Sequence, residues 1–159
     1  MSDPLTSALN TEIEKALNSS EISSQQVHKV SEIINSRTDM PKAAALLLRK
    51  KIGFKNSPKQ MNALEILDHL MVKCKLNFHN QIASKDFQQT LLSQLQSREL
   101  KPEPRGKILY LIETWGKRFE AQKDIVPTFY DTYSLLKSKG VDFPSRGGSR
   151  SQATASSGT

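Results

Sequence analysis

The chain has 159 residues, a net charge of +7, 36% hydrophobic and 25% charged residues, and a single cysteine. That length is one ordinary domain, able to bury roughly two thirds of its unfolded surface. The composition excludes disordered, disulfide-framed and membrane-spanning classes, since no apolar run approaches the ~20 residues of a spanning helix.

The basic balance favours acidic partners: phosphoinositide headgroups, nucleic acid or acidic peptides. Arg146 and Arg150 fall in the last fifteen residues, and taking these two away leaves the body at +5, mild for a dedicated nucleic-acid binder. The start, Met1-Ser2-Asp3-Pro4, shows no secretory pattern, and Cys74 has no disulfide partner in the chain. Both suit the reducing cytosol.

Leu5, Leu9, Ile13 and Leu17 recur every four residues and predict a first helix, with Ser2 or Asp3 as cap and Pro4 in the first turn. Asn18-Ser19-Ser20 ends it. Ser23 or Ser24 caps a second helix whose Val27, Val30 and Ile34 form one buried stripe, while Gln26, His28, Lys29 and Glu32 fill the other face. Thr38-Asp39-Met40-Pro41 offers caps and a first-turn proline for a third helix, apolar all round from Ala43 to Leu48. Its cations Arg49-Lys50-Lys51 complement the negative helix end, and Gly53 stops it.

Asn56-Ser57-Pro58 opens a fourth helix running to Lys75. It carries two apolar stripes, Met61, Leu64, Leu67 and Met71 on one, Ala63, Ile66 and Leu70 on the other. A helix apolar over more than half its circumference has to be covered from both flanks, so this stretch is the expected axis of the fold. A short fifth helix puts Phe78 and Ile82 on one face, and Phe87, Leu91, Leu92 and Leu95 mark a sixth from Lys85 to Leu95.

Lys101-Pro102-Glu103-Pro104 reads as a stiff break, because each proline fixes its own backbone and restricts the residue before it. A seventh helix runs from Gly106 with Ile108, Leu111, Ile112, Trp115 and Phe119. Pro127 opens an eighth with Phe129, Tyr130, Tyr133, Leu135 and Leu136, closed by Gly140. After Pro144 only small and polar residues and two arginines remain. The expected organisation is a helical domain over 1–144 and a disordered tail, or the start of a linker, over 145–159. With no strand alternation, the class is all-α: eight short helices in antiparallel pairs, wound into a right-handed superhelix.

Little points to catalysis. His28, His69 and His79 are scattered, and there is no phosphate loop or metal-ligand spacing, so no enzyme, metal or cofactor is expected. His79 reads as a packed or capping residue and Cys74 as a small core residue. The cluster Arg49, Lys50, Lys51, Lys55 and Lys59 is the best local candidate for a phosphoinositide or membrane surface. Successive helical residues fan out by ~100° each, however, so solvated helix-end charges are the heavier reading. Trp115, Tyr130 and Tyr133 lie on apolar stripes and read as core or groove residues, not as a base-stacking surface.

Several stretches come one after another in a familiar order. Asn62-Ala63-Leu64-Glu65-Ile66-Leu67-Asp68, Lys73-Cys74, Asn77-Phe78-His79 and Ser84-Lys85-Asp86-Phe87 resemble the signature of VHS domains. Lys107-Ile108-Leu109 with Ile112 and Trp115 resembles its next motif, and Tyr133, Leu135-Leu136-Lys137, Gly140-Val141 and Phe143-Pro144 resemble its last. The resemblance covers about residues 5 to 144 and is nearer the Target-of-Myb, endosomal-sorting type than the Golgi gamma-ear adaptors.

What it implies is an ENTH/VHS-superfamily module: a monomeric, non-catalytic adaptor, cytoplasmic and peripheral to endosomal or trans-Golgi membranes, that sorts cargo through ubiquitin or sorting-signal peptides. In endosomal-sorting members, helix 2 presents a Trp and, four residues on, a Leu to ubiquitin. Matching on Val27, Val30 and Ile34 puts Ser24 and His28 at those positions, so ubiquitin binding is expected to be weak for want of the aromatic anchor. In the gamma-ear adaptors, helices 6 and 8 take an acidic dileucine peptide. Ser84 and Asp86 stand here where that subfamily has cations, and an acid repels such a peptide. Asp86, Gln89, Tyr130 and Tyr133 are the peptide-groove candidates. Two alternatives stay open: phosphoinositide binding at the turn between helices 3 and 4, and phosphopeptide binding as in domains that bind the RNA polymerase tail.

Overall fold

A computed structural model describes residues 4–53 and 57–143. Among the described residues there are eight α-helices, one 3₁₀ turn and no strand. The helices are α1 (Pro4–Leu17), α2 (Ser24–Asn35), α3 (Met40–Ile52), α4 (Ser57–Lys73), α5 (Leu76–Ile82), α6 (Lys85–Gln96), α7 (Pro102–Arg118) and α8 (Pro127–Ser138), with the turn at Glu120–Gln122. The chain divides into two compact units, residues 1–90 and 91–159. The expected caps Ser2, Asp3 and Asn56, the candidate Lys55, and everything from Pro144 onward lie outside the described residues.

In the first unit α4 is the axis that its two stripes require. Ala63, Leu64, Ile66, Leu67, Leu70 and Met71 are all buried, and α1, α2 and α3 each pack against it. Polar side chains set into this core close the ends of other helices. The Asn62 Nδ2 group donates to the carbonyls of Leu17, 2.9 Å away, and Ser19, 3.0 Å away, capping α1. Gln60 Nε2 donates to Ile52 O at the end of α3 (2.7 Å), and Gln88 Nε2 to Ile82 O at the end of α5 (2.9 Å). The buried His79 donates from Nε2 to Met71 O in the last turn of α4 (2.8 Å), the capping role its sequence position suggested. These are carbonyls that a helix cannot satisfy by itself.

Two local expectations need correction here. The α3 N-cap, Asp39, makes no side-chain cap; its carboxylate is taken by Arg37, with Nε–Oδ1 at 2.7 Å and Nη2–Oδ2 at 3.1 Å. Nor is α3 covered all round, since Ala44, Ala45 and Leu48 are buried but Leu46 is 44% exposed. Consecutive apolar residues step by ~100°, so an unbroken run has to aim one side chain away from neighbours that lie along one side.

In the second unit the proline-rich stretch is no break: α7 begins at Pro102 itself. Prolines are tolerated in a first turn because their missing N–H groups would have had no intrahelical acceptor. Ile108, Leu111, Ile112 and Trp115 line the buried face. Trp115 meets Phe129 of α8 with ring centroids 5.4 Å apart, and Phe119 stacks on the same ring at 4.7 Å. α8 ends as its Gly140 foretells, with Gly140 at φ 80°. Its N–H reaches Lys137 O (3.0 Å) and that of Val141 reaches Leu136 O (3.1 Å).

Candidate functional site

The α2 surface starts from its cap. Ser23 accepts a hydrogen bond from Gln26 N–H (3.1 Å) and donates its own N–H to Gln26 Oε1 (2.9 Å), a closed capping box that fixes where the helix begins and hence which residues face out. Val27, Val30, Ser31 and Ile34 are buried. Ser24, His28 and Glu32, one turn apart, are exposed, and His28 Nε2 lies 3.3 Å from Glu32 Oε2. This face therefore offers a hydroxyl, an imidazole and a carboxylate, all able to hydrogen-bond, with no large apolar side chain among the three.

The basic residues of α3 do not gather into one patch. Arg49 turns to Asp86 of α6 (3.6 Å), Lys51 is paired with Glu14 of α1, Lys50 is exposed and Lys59 half-buried. Among the peptide-groove candidates, Asp86 is thus a partner of Arg49 and Gln89 is exposed on the next turn of α6. Tyr130 is half-buried with Lys123 Nζ 4.8 Å from its ring centre. Tyr133 is buried against Gly116, its ring edge-on to Phe143 at 5.2 Å.

Cys74 is buried, and desolvation pushes its thiol from the ordinary 9.0 up to about 11, the opposite of what a nucleophile needs. No group of three or more His, Cys, Asp or Glu suited to a metal is found among the described residues. No described helix is long and apolar enough to cross a membrane. What sequence reasoning missed is a cleft between the α2–α3 turn and the α4–α5 turn. Its residues are far apart in the chain and share no period, so no pattern announces them.

The sequence that builds these helices matches a known family: the VHS domain family model covers residues 3–140. The chain belongs to the VHS family. It is 32% identical over 140 residues to vacuolar protein sorting-associated protein 27 of Neurospora crassa, covering 86% of this chain and 19% of that protein. It is 33% identical over 117 residues to TOM1-like protein 3 of Arabidopsis thaliana, 72% of this chain and 22% of the relative. With Target of Myb1 membrane trafficking protein of Mus musculus it shares 30% identity over 149 residues, 91% of this chain and 30% of the relative. The VHS chain thus spans under a third of the length of these relatives. The solved structure of the VHS and FYVE tandem domains of Hrs, a protein involved in membrane trafficking and signal transduction, superposes with a TM-score of 0.76 at 23% identity. That match covers 87% of this chain and 64% of the other and shows the VHS fold.

Proposed function

We propose that this VHS chain is a non-catalytic adaptor module of membrane trafficking that presents the outer face of α2 to ubiquitin with low affinity. The observation that carries the reading is the family match across residues 3–140, together with relatives named for vacuolar protein sorting and membrane trafficking. Support on the α2 surface is local: Ser24 and His28 are exposed one turn apart on a helix whose start is fixed by its capping box. The affinity is low because small interfaces draw most of their energy from a few buried aromatic or arginine anchors, and this face has none. Work at endosomal or trans-Golgi membranes belongs to the same reading. The ion pairs at Arg49 and Lys51 weigh against a phosphoinositide site on that cluster.

The test is a titration of the ¹⁵N-labelled chain with ubiquitin to about 1 mM, where a complex worth ~4 kcal/mol is half-formed. Amide shifts are expected from Ser24 to Glu32. A silent α2 at that concentration removes ubiquitin from the reading.

A further inference from the structure

Among the described residues the large hydrophobic side chains left exposed are Leu46, Val72, Leu76, Ile125 and Leu135. Two of them, Val72 at 71% and Leu76 at 53%, stand on either side of one short turn, the step from α4 to α5 within the first unit. Lys73 and Lys75 lie between them and are exposed, while Cys74 is buried. The turn thus runs apolar, cation, core, cation, apolar. Neither lysine side chain has an ion-pair or hydrogen-bond partner among the described residues, and the sequence holds no acidic residue between Asp68 and Asp86.

The backbone keeps these side chains outside. Cys74 N–H donates to Leu70 O (2.8 Å) and closes α4, while the N–H groups of Phe78 and His79 both reach Lys75 O (3.0 Å) and open α5. The buried His79 ring holds Met71 O at 2.8 Å, so the end of α4 is tied to α5 across the turn. With Cys74 and Phe78 packed into the core on this fixed backbone, Val72 and Leu76 have no route inward. A lone exposed aliphatic residue is ordinary. A pair held out on one turn and interleaved with two unpaired cations is a surface in search of a partner.

The pattern selects that partner. An acidic peptide needs a groove, and the neighbouring one fails on charge: Lys75 also lines the cleft beside the α2–α3 turn, but Arg37 on that rim is already paired with Asp39. A free phosphate would use the lysines and leave Val72 and Leu76 in water. An anionic membrane surface uses all four, because the aliphatic tips enter the acyl boundary while the ammonium groups stay at the headgroups on their flexible stems. We propose that the α4–α5 turn docks on anionic lipid bilayers, with Val72 and Leu76 inserted and Lys73 and Lys75 at the headgroups. Each lysine near such a surface is worth about a fivefold factor in partitioning, so two of them with two partly inserted side chains make a weak, reversible contact. The proposal rests on the membrane-trafficking reading for its setting and uses neither Ser24 nor His28 of the ubiquitin face.

The experiment is co-sedimentation of the full chain with three kinds of vesicle: phosphatidylcholine alone, phosphatidylcholine with phosphatidylserine, and phosphatidylcholine with a phosphoinositide at the same surface charge. Binding is expected to both anionic vesicles alike, to be absent from the neutral ones, and to fall as salt rises. Lys73→Glu with Lys75→Glu is expected to weaken it about tenfold or more. Val72→Ser with Leu76→Ser should weaken it severalfold at unchanged charge, and Lys50→Glu should leave it near native. If the charge reversal loses its helical circular dichroism, Lys73→Gln with Lys75→Gln takes its place and should weaken binding severalfold. The proposal is overturned if the native chain stays in the supernatant with phosphatidylserine vesicles, if either folded double variant binds like the native chain, or if Lys50→Glu weakens binding as much as the lysine pair does. Binding to the phosphoinositide vesicles alone would overturn it too, since a headgroup-specific pocket is a different site. Sedimentation as expected with α2 silent toward ubiquitin removes the ubiquitin reading alone, and ubiquitin shifts without sedimentation remove this proposal alone.

Discussion

Asn62 is a polar residue inside an apolar helix because another helix needs it: its amide caps the carbonyls of Leu17 and Ser19, up to 45 residues earlier in the chain. Replacing Asn62 with Ala strands part-buried acceptors, and about 2 kcal/mol of stability should go with them, read as a lower urea midpoint at unchanged slope. The letters Asn62 and His79 were legible as family signature, yet their partners were not. A hydrogen-bond acceptor on a main chain leaves no mark on composition or period. The missing anchor on α2 is the converse case, visible from sequence because it is a side chain. On the proposed ubiquitin reading, Ser24→Trp places an exposed aromatic at that position and should tighten binding by roughly tenfold or more, as aromatic hot spots do. An unchanged titration would mean that ubiquitin does not dock on this face.

At the level of elements, α7 sets two glycines against each other. A Cβ on Gly116 would collide with Cβ of Tyr133, so the glycine is what lets α7 and α8 approach. Among the described residues, a Cβ on Gly106 would meet nothing within 4 Å beyond its chain neighbours and its own helix backbone. Gly116→Ala should therefore cost about 2 kcal/mol or more through overpacking, and Gly106→Ala should gain ~0.5–1 kcal/mol by restricting the unfolded chain. One substitution in one helix with opposite shifts of thermal midpoint is the expected outcome. Helix starts and stops were mostly legible, since Ser23, Pro127 and Gly140 each act through local backbone chemistry. The start of α7 was misread because a proline breaks a helix from its interior and begins one from its first turn. Pro102 and Pro104 take the second role, since the helical stripe from Ile108 to Trp115 lies on their C-terminal side.

For the molecule as a whole, the all-helical class came from periodicity alone, and the two-stripe α4 was legible as the axis because burial on both flanks has a compositional signature. The cleft was not legible, since a concavity is made by two turns and encoded in neither. Cys74 connects local burial to global stability. Its neutral thiol is stable inside the first unit, whereas in the unfolded chain it ionises near its ordinary 9.0 instead of about 11. A group whose folded value is raised keeps its full contribution below the unfolded value and loses it as pH rises toward the folded one, because the unfolded state alone releases the proton. Stability should thus fall between pH 9 and pH 11 by up to about 2 kcal/mol on this account. The quantity to measure is the difference between the native chain and Cys74→Ala, which isolates the contribution of this thiol. The native chain should lose its lead in urea midpoint over that variant steadily across the window. A constant difference from pH 8 to pH 11 would mean that the thiol is not desolvated in the folded protein.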